Sequence, residues 1–119
     1  MGEAIGYQGG RYSGIAFTSE RLLAEGAIPR MEATGRITQR DLPFSEPSAT
    51  IVWRELAKLG LAAHTVLWNA LSLHPHLPEE PWSNRTPTRR EFEMGLPALE
   101  RLLAAFPQAQ VIAVGRNSQ

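Results

Sequence analysis

The sequence predicts an α/β domain with three layers, α/β/α, built on a small parallel sheet. Three observations carry that expectation. Two short apolar runs, TVLWNALSL at residues 65–73 and QVIAVG at 110–115, have the length and continuity of buried strands. Stretches with helical apolar spacing lie before and between them. Long loops follow the places where strands should end, which is where such sheets bind their ligands. Two strands joined through a helix and a loop form a βαβ unit, right-handed with parallel strands in nearly all cases.

The first seventeen residues, MGEAIGYQGGRYSGIAF, read as a glycine-punctuated loop, with any preceding strand ending at Gly2. Loops of that length in a compact domain are disordered or functional. This one alternates Gly with Ala, Ile and Tyr, so it suits close approach of a ligand better than solvation. Thr18-Ser19-Glu20 then caps a short helix, RLLAEG, stopped by Gly26 and Pro29. Residues 30–43, RMEATGRITQRDLP, lack a sustained apolar period and predict an irregular excursion. A second helix follows SEPSAT, with Val52, Leu56 and Leu59 on one stripe, Ile51 and Trp53 widening it and Gly60 ending it. After the first strand run comes a polar, proline-rich loop, HPHLPEEPWSNRTPTRR. Phe92, Leu96, Leu99, Leu103 and Phe106 mark a third helix. Pro97 inside that pattern predicts a kink near Gly95 or a split in two. Arg116 to Gln119, after the second strand run, should start another helix.

The 119 residues allow one domain, residues 1–119, with 43% hydrophobic and 20% charged residues. Formal net charge is zero, so any polyanion site must be a local patch. Cysteine is absent, which excludes disulfides, thiolate metal sites, a cysteine-held iron–sulfur cluster and cysteine nucleophiles. No apolar run approaches a membrane span, and the N-terminus lacks signal-peptide order, so the expectation is a cytoplasmic protein without a membrane partner. Two strands leave sheet edges open. Pairing between chains into a homo-oligomer would close them, as would an unrecognised strand within residues 30–44. A strand ahead of GEAIG, and a helix and further strand at the other end, are what a complete three-layer domain would add, so the chain is expected to be truncated at both ends.

Glu3, Tyr7, Phe17 and Asn69 supply an acid, stacking rings and a bidentate amide. A pocket for a planar heterocycle requires those groups. Plainer roles stand beside them. Phe17 occupies a hydrophobic-staple position, and Glu20 in a first helical turn is favourable through the helix dipole alone. Asn69 is harder to explain that way, because an amide inside an apolar strand costs stability unless satisfied. Trp53 and Trp68 read as core, and His64 as surface. GEAIGYQGGRYSG lacks the Gly-Lys-Ser/Thr of a phosphate loop. HPH at 74–76 has two histidines and no fixed ligand geometry, so no metal and no cofactor are expected.

Taken together and in this order, GEAIGYQGGRYSGIAFTSE, LWNALSLHP and SNRTPTRRE resemble the uracil-DNA glycosylase superfamily. The first is similar to the GEAPG motif of its thermostable, iron–sulfur branch, and SGIAFTSE to the FTGD motif of a related branch. The resemblance implies a DNA-repair hydrolase that cleaves the N-glycosidic bond of uracil or a related deaminated base. It also implies roles. Ala4, Ile5, Gly6 and Tyr7 would line the pocket floor, and Glu3 would orient the hydrolytic water, with Glu20 as a rival. Phe17 would stack on the flipped base, Asn69 would read its edge, and Arg85, Thr86, Arg89 and Arg90 would contact phosphates. The chain departs from the pattern in three ways. Leu73 stands where that branch has a cluster cysteine, so no iron–sulfur cluster is implied. Ile5 replaces the proline of GEAPG. The family's His-Pro-Ser motif does not occur before Gln119, and His74-Pro75 lies too early in the order to replace it. A catalytically impaired base- or nucleic-acid-binding module of the same fold is therefore the alternative expectation, and an orphan nucleotide-binding domain a third.

Overall fold

The sheet begins inside the segment that the sequence presents as loop. In the computed structural model, which describes residues 1–115, β1 is Gly2–Ala4 and β2 is Asn69–Leu71. They pair in parallel, Gly2 opposite Asn69 and Ala4 opposite Leu71. Gly and Glu are poor strand formers, so tertiary pairing rather than local propensity makes β1. On the other edge of β1, the Met1 amino group donates to the Ile112 carbonyl at 2.6 Å and Val114 N–H donates to the Met1 carbonyl at 2.7 Å. These bonds straddle Ala113 in the pattern of a parallel pair.

Residues 112–114 of QVIAVG thus lie against Met1, next to β1 rather than beside β2, while the regular sheet among the described residues consists of β1 and β2. The expectation of a buried strand there needs correction: Val111, Ile112 and Val114 are 54%, 65% and 51% exposed, and among the described residues no strand is formed at 110–115. No strand forms within residues 30–44. The expected helix start at Arg116–Gln119 lies outside the described residues.

A four-residue helical turn, α1 (Gly10–Ser13), interrupts the N-terminal loop and ends at Gly14, whose φ of 70° needs a glycine. α2 (Glu20–Ala24) is capped as the sequence suggests, Ser19 Oγ accepting from Leu22 N–H. α3 (Pro47–Lys58) begins inside SEPSAT, because proline at the first helical position sacrifices no hydrogen bond. Its buried residues are Ala49 and Trp53, while Ile51 and Leu59 point outward, so the stripe is rotated from the one expected. Leu22, Leu23, Ile28, Ala49 and Trp53 form the core, with Phe17, Met31 and Leu56 packed against it.

α4 (Arg89–Ala105) opens on a capping box between Thr88 and Glu91 and runs unbroken through Pro97, so the expected split does not occur. Its one buried residue is Gly95. A Cβ there would run into the Ala70 carbonyl, so α4 lies directly on β2 at the point where it lacks a side chain. Seating the helix on Gly95 turns Leu96, Leu103 and Phe106 toward solvent. The expected apolar stripe is correspondingly only half used.

Candidate functional site

Gly2 sits beside Asn69 at the start of the β1–β2 pair. A Cβ built on Gly2 would lie 2.6 Å from Asn69 Oδ1 and 2.7 and 2.9 Å from the ring edge of Phe17. The amide and the ring therefore converge on Gly2 so closely that no side chain fits there. Asn69 is 5% exposed. Phe17 has a φ of 51°, in the left-handed region where ring-bearing residues are rare. Its carbonyl accepts a 2.8 Å hydrogen bond from Trp53 Nε1, and the next two residues, Thr18 and Ser19, are fully buried. The Trp53 bond on one side and the buried Thr18-Ser19 pair that follows hold the strained residue in place.

Along β1 and just past it, Glu3, Ala4, Ile5 and Gly6 line a cavity of about 590 Å³ whose far wall includes Glu46 and Asn84. Successive side chains of a strand point to opposite faces. Gly2 and Glu3 therefore do not share a face, and Glu3 lies on the cavity side of β1. Asn84 Oδ1 accepts from Tyr7 N–H at 3.0 Å and ties the 74–90 loop to the glycine segment. Burial pushes the Glu46 carboxyl up, against a 2.7 Å bond donated by Ser48 Oγ. A side chain on Gly9 would collide with the Glu46 carboxylate, so glycine there makes room for the acid.

Glu20 is held entirely by groups of the protein itself. It is fully buried, and its oxygens are taken up by the 36–44 loop. Oε1 accepts from Arg36 Nε at 2.6 Å, Ile37 N–H at 3.0 Å and Thr38 N–H at 2.9 Å. Oε2 accepts from Thr38 Oγ1 at 2.7 Å and Phe44 N–H at 3.0 Å. Burial alone would push this carboxyl up, but Arg36, Thr38 and Phe44 outweigh it and hold it far below the usual range. A carboxylate so occupied anchors a loop and has little capacity left for a water.

Arg85 is likewise engaged within the protein. Its guanidinium meets Glu91 at 2.7 and 2.8 Å and the His76 carbonyl at 3.0 Å. Arg85 and the Thr88 backbone bring the Glu91 carboxyl down to about 2. Thr86 lines the cavity. Arg89 is almost wholly exposed, paired with Glu93 at 3.1 Å, and Arg90 is exposed too. His74 Nε2 is bonded to the Ser83 carbonyl at 2.8 Å.

The structure brings Gly2, Phe17 and Asn69 together and places Glu3, Ala4, Ile5 and Gly6 on a cavity that none of those three lines. Tyr7 faces a second groove, with Phe44. Sequence reasoning missed Gly2, Glu46, Asn84 and the Trp53 bond. Only Gly2 carried a signal, being a glycine at the end of an expected strand.

The sequence profile of the family described as the Uracil DNA glycosylase superfamily matches residues 2–119. No curated protein and no solved structure matches the chain.

Proposed function

The chain belongs to the uracil-DNA glycosylase superfamily, and on that premise we propose that it hydrolyses the N-glycosidic bond of uracil or a related deaminated base in DNA. The observation that carries this reading is the convergence of Phe17 and Asn69 on the side-chain-free position of Gly2. A flipped base needs a π-face to lie on and a donor–acceptor pair at its edge. The Phe17 ring offers the first. The Asn69 amide offers the second, its carbonyl accepting from uracil N3–H while its NH₂ donates to O4.

Hydrolysis takes a water oxygen to the anomeric carbon while the glycosidic bond breaks. The base leaves as an anion and the sugar passes through a positively charged state. Glu3 is the acid we assign to that sugar, orienting the water and countering the developing charge from the cavity side. Base and sugar are different parts of one nucleotide, so recognition and hydrolysis need not share a face of β1. The Asn69 NH₂ stabilises the departing anion. Thr86, Arg89 and Arg90 are the groups we assign to flanking phosphates, where they set position rather than base choice.

The test is incubation with uracil-containing single-stranded DNA followed by alkali. Strand scission that disappears in Glu3→Ala and in Asn69→Asp supports the reading. Scission that survives both substitutions, or never appears, removes it.

A further inference from the structure

A second groove, of about 470 Å³, opens between Tyr7, Tyr12, Arg40, Phe44 and Trp82. Phe44 forms its floor, 9% exposed, stacked on Tyr12 at a centroid distance of 4.5 Å and met edge-on by Tyr7 at 6.5 Å. The Arg40 guanidinium lies 4.0 Å from the Phe44 ring centre, and that of Arg11 5.6 Å from Tyr12. Trp82 stands at the rim, 64% exposed.

Both loops that build the groove are tied down. The Glu20 carboxylate fixes residues 36–44 through Arg36, Thr38 and Phe44. The Arg11 guanidinium is bonded to the Pro81 carbonyl, and Ser83 N–H and Oγ close the 80–83 turn onto Glu80. An exposed indole on a fastened turn, beside aromatic rings and two guanidinium groups, is a surface suited to a flat π-system with an anion attached. Nucleotides of a single strand have that chemistry, and every base has a π-face to stack. The groove also continues the candidate site. Tyr7 closes the segment that lines the first cavity, and its N–H is bonded to Asn84, another wall of that cavity.

We propose that this groove holds an unpaired base of a single DNA strand beside the target nucleotide, stacked on Trp82, with Arg40 at its phosphate. The inference takes DNA as the partner from the function proposed above but does not depend on catalysis. The anion is a backbone phosphate, so the contact at Arg40 is salt-sensitive while the stack at Trp82 is not.

The experiment is binding of a uracil-free single-stranded oligonucleotide and of the matching blunt duplex, by fluorescence anisotropy on the full chain. The single strand should bind tighter than the duplex. Trp82→Ala should weaken single-strand binding about ten-fold, Trp82→Phe should restore most of it, and Arg40→Gln should reduce the slope of log affinity against log salt by about 0.7. Quenching of tryptophan emission by the oligonucleotide should be lost in Trp82→Phe, a readout that holds even if the alanine variant folds poorly. Single-strand binding unchanged by Trp82→Ala, or quenching that persists in Trp82→Phe, overturns the proposal. No uracil is present, so the result is independent of the scission test. A chain that stacks but does not cut keeps this inference and loses the enzyme; a chain that cuts with Trp82 indifferent does the reverse.

Discussion

Gly2 and Asn69 face each other across the β1–β2 pair so closely that a Cβ on Gly2 would stand 2.6 Å from the Asn69 side-chain oxygen. The same Cβ would meet the Phe17 ring, so one methyl group displaces two candidate base contacts at once. Gly2→Ala should therefore cost about 1–3 kcal/mol of stability through overpacking. It should lower base release by on the order of a hundred-fold, comparable to losing one preorganised donor. Single-turnover scission of a uracil oligonucleotide, with circular dichroism to check folding, reads both effects. A fully active Gly2→Ala protein would separate the convergence of Phe17 and Asn69 from any role in catalysis.

Trp53 reaches the site from α3 through one bond, Nε1 to the Phe17 carbonyl at 2.8 Å. Phe17 holds a φ of 51°, so that bond opposes relaxation of a strained residue. Trp53→Phe keeps an aromatic ring in the core and removes the donor. The expected loss is about 1 kcal/mol in denaturant unfolding, together with a rise in KM as Phe17 leaves its position. A variant less stable but unchanged in KM would show that the bond serves the core alone.

Glu20 separates two roles by its response to pH. Its carboxyl is depressed in the folded chain, so the stability it contributes is present above the ordinary carboxylate range. That contribution is lost as pH falls through the depressed folded value. Glu20→Gln, which does not titrate, should melt lower than wild type at neutral pH, and the gap should close as the solution is acidified. The same variant should expose Arg36 and Arg40 to trypsin, because the 36–44 loop loses its anchor. A Glu20→Gln protein that resists trypsin, melts like wild type and yet fails to cut DNA would return this residue to the catalytic reading.

The helix and loop boundaries were legible wherever local chemistry set them. Thr18-Ser19-Glu20 announced α2, and residues 30–43 announced an excursion, because caps and missing periodicity are local features. β1 was not legible, since Gly-Glu-Ala has no strand propensity and is extended only because β2 and residues 112–114 flank it. The face of α4 was misread for a related reason. The inward residue is Gly95, chosen by its contact with the Ala70 carbonyl and not by hydrophobicity. Asn69 was conspicuous as an amide in an apolar run. Glu46 was not, because an acid just before a helical proline looks like an ordinary cap, although here its side chain makes no cap bond.

Gly95 offers a direct test of how α4 seats on the sheet. Gly95→Ala adds a methyl group where the Ala70 carbonyl lies, and backbone on both sides leaves little room to yield. Helix propensity alone would favour alanine by about 1 kcal/mol, so the two effects have opposite signs. The clash should win, lowering the urea midpoint by the equivalent of about 1–3 kcal/mol. A stabilised Gly95→Ala chain would mean that α4 stands off the sheet.

Glu46 carries the opposite pH signature to Glu20. Burial raises its carboxyl, so the folded chain binds a proton there more readily than the unfolded chain does. Its ionised form therefore destabilises the fold above the raised value, and the penalty fades as pH falls toward the ordinary carboxylate range. Glu46→Gln keeps an acceptor for Ser48 Oγ and removes the charge. It should melt higher than wild type at neutral pH and equal to it below about pH 4, the ordinary carboxylate pKa. If Glu3 is the acid that serves the water, scission should persist in Glu46→Gln. A variant more stable than wild type that no longer cuts would move that role to Glu46, which shares the cavity with Glu3.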